Sequence, residues 1–440
     1  MSEITTVLLC LQPLIRGCEF RQLILISEAV LMMHGRITML GISRWTGQGG
    51  SYRTIQRFFN SRIDWGQLQW QLIKSVALKD SSGVILIAGD ATTVTKSGKE
   101  TFGLGRFFSS IYSRAVPGIS FQVLSLTEVD RASSWPLLIE QMIPKPRAVK
   151  PRKHSTRRTK QSLRPKGRPK GSKNKNHRNV VLNAEMKQVQ SLLKQVLSRI
   201  GDTLKLTYFV YDGAFGNNAA VQMTRQTGLH LISKLRNNSA LYFEWNGVYG
   251  GKGRKPRYGT RVDYTHLPDN YLKSDTVEKN TRTRMYQFTA VHKKFADPLN
   301  VVVILKLNDK TGKTARIILF STDMALEAEL LVKYYRLRFQ IEFNFRDAKQ
   351  HWGLEDFMVI KEQAVSNASN LSLFMVNLSQ GMMRLNDESS VLDLKVRFHG
   401  LRYAQEAFKI LPEKANVINF DDWIKKMPIL GRIHGQRIAA

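Results

Sequence analysis

The sequence predicts an α/β core interrupted by a β-rich insertion and preceded by a mostly helical N-terminal region. Three observations carry this expectation. Residues 1–80 show helical apolar spacing. From Gly83 the texture changes to apolar, β-branched runs, with a helical segment over roughly 217–227. Residues from about 236 to 320 alternate short strand-like runs such as "MYQFTAVHKKF" and "LNVVVILKL" with Gly- and Asn-rich turns. At 440 residues the chain is long enough for two or three domains with a substantial buried core.

In order along the chain, "CEFRQLILISEAVLMMHG" has the apolar repeat of an amphipathic helix. "ITMLGISRWTGQGGSYRTIQRFFNSRIDW" then predicts helix, Gly-rich turn, helix. It resembles a helix-turn-helix, with Arg53, Gln56 and Arg57 on one face of the second helix. A plain helical hairpin packing Ile55, Phe58 and Phe59 accounts for the same pattern. "GVILIAGDATTV" predicts a strand ending at Asp90, "GISFQVLSLTEV" a second strand, "LKLTYFVYDGAFGN" a third ending at Asp212, and "LHLISKLR" a fourth. A long helix is expected from Asp323, an N-cap candidate, through Trp352, with Gly353 as its stop. Glu327 and Glu329 suit the positive end of that helix. "KEQAVSNASNLSLFMVNLSQGMMRL" predicts a further helix apolar enough for the core, and residues 386–440 give no clear assignment.

Charge narrows the function. Lys and Arg number 67 against 35 Asp and Glu, a net charge of +32. Such an excess repels itself unless a polyanion neutralises it, and nucleic acid is the leading partner. A membrane surface would call for an amphipathic anchor or a long apolar span, and the sequence offers neither. Cys10 and Cys18 are the only cysteines, too few for a disulfide framework or a structural zinc site. With no signal-peptide pattern at the start, a cytoplasmic location is expected. Residues 145–178 hold fifteen Lys or Arg, four prolines and no acid, and such a segment cannot bury a core of its own.

The chemistry-bearing pattern lies in "VKYYRLRFQIEFNFRDAKQHWGLEDF". At about 100° per residue, Tyr335, Arg338, Glu342 and Lys349 fall within an arc of roughly 60°. Arg346 lies just beside them and Asp347 points elsewhere, while Leu337, Ile341 and Phe345 form the opposite, buried face. Two readings compete for Glu342. One is an intrahelical ion pair with Arg338, worth about 0.3–0.5 kcal/mol. The other is a metal ligand, with neighbouring cations holding the phosphates that the metal activates. The second reading needs further carboxylates, and Asp90 and Asp212 are the candidates, since active-site groups of open α/β sheets gather at carboxyl ends of strands. Acids in ordinary strand-end turns are the plainer alternative for both.

The spacing Tyr335, two residues, Arg338, three residues, Glu342, six residues, Lys349 resembles the Tyr-Arg-Glu-Lys signature of bacterial insertion-sequence DDE transposases. "AGDATTVTKSGKETFG" and "VYDGAFGN" are similar to the two aspartate motifs of that family, and the resemblance covers about residues 83–385. It implies a ribonuclease-H-like catalytic domain in two parts, 83–235 and 321–385, around the insertion at 236–320, with residues 1–80 as a DNA-binding domain. It implies Asp90, Asp212 and Glu342 as a catalytic triad holding two Mg²⁺ ions, Mn²⁺ being able to substitute. It further implies that Tyr335, Arg338 and Lys349, with Arg346 beside them, contact DNA. The implied activity is metal-dependent cleavage at transposon ends followed by strand transfer of the 3′-hydroxyl into target DNA. The implied partners are double-stranded DNA, as inverted-repeat ends and as target, and a second copy of the chain in a synaptic homodimer. A nuclease that cuts without joining, or a domesticated DNA-binding protein without catalysis, are the alternatives. The chain departs from the family pattern in two places. Its one tryptophan between Asp212 and Glu342 is Trp245, to which the role of the family's insertion tryptophan is not assigned, and its basic arm at 145–178 is additional. Within the arm, Gly167-Arg168-Pro169 flanked by Lys166 and Lys170 resembles an AT-hook, in which Arg168 would lie in a narrow minor groove.

Overall fold

The computed structural model describes residues 3–46, 49–78, 83–109, 113–144, 176–251, 253–386 and 390–410. Residues 145–175 of the basic arm, Arg168 and the AT-hook-like core included, lie outside these residues.

Five helices come first: α1 (Glu3–Leu8), α2 (Gly17–Met32), α3 (Met39–Trp45), α4 (Tyr52–Asn60) and α5 (Trp65–Val76). Thr38, Ser51 and Asp64 cap the last three through their side-chain oxygens. Helix α4 buries Ile55, Phe58 and Phe59 and leaves Arg53, Gln56 and Arg57 exposed. Both faces expected of this helix are therefore present on one element.

The strands follow: β1 (Ile85–Thr95), β2 (Gly105–Ser109), β3 (Arg114–Glu128) and β4 (Ser133–Met142). Helix α6 (Ala184–Ile200) leads into β5 (Tyr208–Val210), α7 (Asn218–Arg225) and β6 (His230–Leu235). The segment expected to be a β-rich insertion supplies β7 (Leu241–Glu244), β8 (Tyr258–Arg261), β9 (Leu272–Glu278), β10 (Thr281–His292), β11 (Leu299–Asn308) and β12 (Thr314–Ser321). The chain then closes with α8 (Ala328–Leu337), α9 (Gln340–Gln350), α10 (Glu362–Asn386) and α11 (Val391–Ile410). Four of these elements, β2, β4, α6 and α11, were not expected. Pro136 hides β4, because proline lacks a ladder donor; it is tolerated where the register with β3 shifts between Leu124 and Ser125.

All twelve strands belong to one mixed sheet, ordered β2-β3-β1-β5-β6-β12-β11-β10-β7-β8, with β4 also on β3 and β9 on β10. Strand β1 is parallel to β5, β5 is parallel to β6, and the remaining pairs are antiparallel. The segment expected to be an insertion is thus not a separate layer: β12 pairs with β6 and carries the same sheet onward.

Strand alternation divides the core. Ile85, Ile87, Phe209, Tyr211 and Leu231 face one side and pack with Val189, Leu192, Leu193 and Val196 of α6 and with α7. Leu86, Val210, Ile232, Val302 and Leu319 face the other and pack against Leu331, Val332 and Leu337 of α8. On that second side, Val94, Ile119, Phe121 and Val123 meet α9, α10 and the N-terminal helices in a continuous apolar cluster. Asn367 of α10 ties the N-terminal helices down: its amide donates to the carbonyls of Phe59 and Ser61, at 2.8 Å each, and accepts from Trp65 Nε1 at 2.8 Å.

Two expectations about the late helices change. The helix expected to run unbroken from Asp323 to Trp352 is two helices, α8 and α9, separated at Arg338–Phe339. No proline or glycine causes the break; the N–H groups of Phe339, Ile341 and Glu342 bond three residues back, to Arg336, Arg338 and Phe339, which tightens the turn. Asp323 is not the N-cap. Its carboxylate accepts from the Tyr208 hydroxyl at 2.6 Å and the Ala325 N–H at 3.0 Å, and the first amide of α8, Ala328, is met by Gln287 Oε1 from β10 at 3.1 Å. Gly353 does stop α9: it sits at φ +78°, and the Leu354 N–H returns to the Ala348 carbonyl at 2.9 Å.

Candidate active site

The parallel register sets the two aspartates side by side. Ala88 is level with Val210, Asp90 and Asp212 each follow two residues later, and Asp90 feels the charge of Asp212. Both share the parity of Leu86 and Val210, so they project to the side covered by α8 and α9. Asp90 does not end its strand as expected, since β1 continues through Ala91-Thr92-Thr93-Val94-Thr95 in register with β3. What ends at Asp90 is the double apolar cover: the five residues before it are buried, and beyond it burial alternates. Asp212 stands two residues past β5 and caps a short turn, its Oδ1 accepting the Ala214 N–H at 3.0 Å.

The backbone of each aspartate is held from behind. Gln122 of β3, fully buried, donates from Nε2 to the Asp90 carbonyl at 3.1 Å and accepts the Tyr211 hydroxyl on Oε1 at 3.0 Å. Ser233 of β6 donates to the Asp212 carbonyl at 2.6 Å. Gly89 leaves space for the Tyr211 ring, since a Cβ there would come within 2.7 Å of it. A glutamine inside the apolar run "SFQVLSL" is the signal by which Gln122 is recognisable in the sequence.

Glu342 reaches the same place from α9. Arg338, at the break before α9, donates from Nη1 to Asp90 Oδ2 at 2.6 Å and from Nη2 to Glu342 Oε1 at 3.2 Å. The i,i+4 ion pair expected as the plain reading of Glu342 therefore exists, but as one half of a bridge to a strand 248 residues away in sequence. The Arg338 side chain is 14% exposed, and its Nε is buried without a hydrogen-bond partner. Burial pushes the Asp90 carboxyl above its ordinary pKa; Arg338 opposes this, and the charges of Asp212 and Glu342 add to it. Burial works against the Arg338 charge, yet Asp90, Tyr335 and Glu342 more than offset it and hold the guanidinium above its usual range. Burial likewise raises the Tyr335 hydroxyl, with Arg338 opposing and Asp212 and Asp90 adding. Asp90 thus senses the charges of Asp212 and Glu342, and Tyr335 those of Asp90 and Asp212.

The other expected residues divide. Lys349 Nζ donates to the Thr93 carbonyl at 2.9 Å and pairs with Glu355 at 3.4 Å, so it lies along β1 beyond Asp90. Arg346 is turned outward, pairing with Asp347 at 3.0 Å and resting over the Phe343 ring. Arg53 and Arg57 lie on the exposed face of α4. A residue not expected is Glu185 in the first turn of α6, whose carboxyl is raised by burial and by the charge of Asp212.

Carboxylate oxygens are hard donors suited to a divalent cation, and the Arg338 guanidinium shows that a positive charge is accommodated between Asp90 and Glu342. The donor set therefore fits such an ion. As they stand, however, no three His, Cys, Asp or Glu side chains among the described residues are close enough to hold a single metal, because the guanidinium lies where Asp90 and Glu342 would converge.

The profile of the DDE superfamily endonucleases matches residues 10–294. The chain belongs to this family of nucleic-acid-processing enzymes. The matched span includes Asp90 and Asp212 and stops before α8 and α9, so it does not reach Arg338 or Glu342. No curated protein matches the chain. Among the described residues, no helix is long and apolar enough to cross a membrane.

Proposed function

We propose that the chain is an insertion-sequence DDE transposase that cleaves DNA at transposon ends and joins the freed 3′-hydroxyl to target DNA. The single observation that carries this reading is the Asp90–Arg338–Glu342 bridge beside Asp212, which gathers three acids from two parallel strands and a helix into one electrostatic unit. The sheet order β4-β3-β1-β5-β6, with β3 antiparallel and β1, β5 and β6 parallel, supports a ribonuclease-H-like core, with β7–β12 as the insertion.

Asp90, Asp212 and Glu342 would hold the metal, which when bound supplies activation of the attacking oxygen and stabilisation of charge on the phosphate. The chain's own residues do the rest. Gln122 and Ser233 fix the two aspartate backbones, so their carboxylates are held without reorganisation. Arg338 and Lys349, with Tyr335, are placed along the rim to hold the phosphates in line. Cleavage forms a bond from water oxygen to phosphorus and breaks the bond to the 3′-oxygen, which leaves as a hydroxyl; joining repeats the displacement with that hydroxyl as nucleophile. Two Mg²⁺ or Mn²⁺ ions, a homodimeric synapse, DNA contact by Arg53, Arg57 and Arg346, and minor-groove contact by Arg168 belong to the same proposal.

The test is nicking and joining of a cognate end. Nicking is expected only with Mg²⁺ or Mn²⁺, and Asp90→Ala, Asp212→Ala and Glu342→Ala should each lower it by at least about a thousandfold while end binding persists. Full activity in one of these variants removes that residue from the triad. Nicking with no joined product in any condition would reduce the protein to a nuclease.

A further inference from the structure

The deeper question at this site is what Arg338 does apart from touching DNA. Its two terminal nitrogens occupy one oxygen of Asp90 and one of Glu342, at 2.6 and 3.2 Å. Its position is built in rather than incidental. The helix breaks at this residue, with the N–H groups of Phe339, Ile341 and Glu342 bonded three residues back, and the break allows the guanidinium to lie between the acids instead of along the surface of α9. The side chain is largely shielded, and Nε has no partner, so the bridge is its main polar satisfaction. The neighbouring cations are spent elsewhere, Lys349 on the Thr93 carbonyl and Glu355, and Arg346 on Asp347.

We propose that Arg338 and the divalent cation compete for the same oxygens of Asp90 and Glu342, so that metal entry requires the guanidinium to swing away, and that a DNA phosphate is the anion that draws it off. The inference rests on the transposase reading of the site. A guanidinium that leaves two carboxylates must find another oxyanion, because an unpaired, shielded charge is costly, and a phosphate offers the same two-pronged geometry. Metal and DNA then bind with positive coupling: each makes room for the other, and the guanidinium stays on the two carboxylates until both are present. The tight turn at Arg338–Phe339 is where the side chain can be re-aimed without disturbing Ile341 and Phe345, which remain buried.

The test reads metal binding, not turnover. Mn²⁺ binding to the full-length protein is measured by electron paramagnetic resonance of the free ion, with and without an uncut end duplex, at one ionic strength. Arg338→Ala should bind Mn²⁺ about tenfold more tightly than wild type in the absence of DNA, the scale of one charge-assisted hydrogen bond. Arg338→Lys, which keeps the charge but cannot bridge two carboxylates, should fall between them. Lys349→Ala removes an equal charge from the same rim and should change affinity by less than about twofold. DNA should tighten Mn²⁺ binding to wild type and leave Arg338→Ala nearly unchanged. Equal gains in Arg338→Ala and Lys349→Ala, or no gain in Arg338→Ala while Asp212→Ala abolishes binding, overturns the competition and leaves the transposase reading standing. Mn²⁺ binding that is indifferent to Asp212→Ala and Glu342→Ala overturns both. A melting curve accompanies each variant, and Arg338→Lys carries the test if Arg338→Ala does not fold.

Discussion

The two faces of the sheet at β1, β5 and β6 differ in what they ask of their covering helices. On the face under α6 and α7, Ile85, Ile87, Phe209 and Leu231 meet an apolar helix surface, and the polar exception, the Tyr211 hydroxyl, is matched to Gln122. On the face under α8 and α9, Leu86, Val210 and Ile232 are covered in the same way, but only as far as Leu337. One residue later the cover becomes Arg338, and the strands answer with Asp90 and Asp212. The lesson is that one face stays apolar under its helices at this level, while the other sets the acids and Arg338 between two apolar stretches, one under α8 and one under α9 and α10. Strand alternation makes this possible, because neighbouring residues of one strand serve opposite faces.

The largest effect should come from separating these roles. Phe209→Ala, on the first face, is expected to lower stability by about 3–5 kcal/mol, since a fully buried ring leaves a cavity. Asp90→Asn, on the second, should cost less than about 1 kcal/mol, because Arg338 keeps Glu342 and a carboxyl disfavoured by burial is removed. Its nicking activity should nonetheless be lost. Urea unfolding alongside a nicking assay measures both, and an Asp90→Asn protein as unstable as Phe209→Ala would mean that the second face is structural too.

A smaller effect tests how far buried charge extends on the second side. Lys395 of α11 donates to the Val30 carbonyl at 3.2 Å and lies over the Trp352 ring; burial lowers its pKa to about 8. Below pH 8 the ammonium is charged in both folded and unfolded chains, and its burial is unfavourable. Between pH 8 and the ordinary value of 10.5 the unfolded chain holds the extra proton, so stability rises with pH. Lys395→Met should therefore gain about 2 kcal/mol at pH 7, a gain that shrinks as pH rises through that window. A gain independent of pH would assign the effect to packing. The smallest effect belongs to the outer strands of the sheet: Val277 on β9 is 64% exposed, and Val277→Ser should shift stability by no more than about 0.5 kcal/mol.

Much of the site is visible in the sequence because its signals are local. The spacing from Tyr335 to Lys349 and the short aspartate motifs are residue patterns, and Gly353 announces the end of α9. Strands within β7–β12 are visible through alternation, although not their continuity with the rest of the sheet, which depends on β12 pairing with β6. Strand β4 is obscured by Pro136. The regular apolar spacing of Met186, Val189, Leu193, Val196 and Ile200 after the Asn183 cap does mark α6 in the sequence.

The amino-acid sequence alone determined the chain's charge, the kinds of residue available for phosphate chemistry, and the faces of its individual helices, since these follow from composition and from periods of a few residues. Only the tertiary structure decided that Asp90 and Asp212 come together, because a parallel pair joined through three antiparallel strands and a helix has a register that no short-range pattern encodes. It also decided the break at Arg338, where no proline or glycine stands. There the ion pairs to Asp90 and Glu342 accompany a tightened turn, and one side chain meets two acids that lie 252 residues apart.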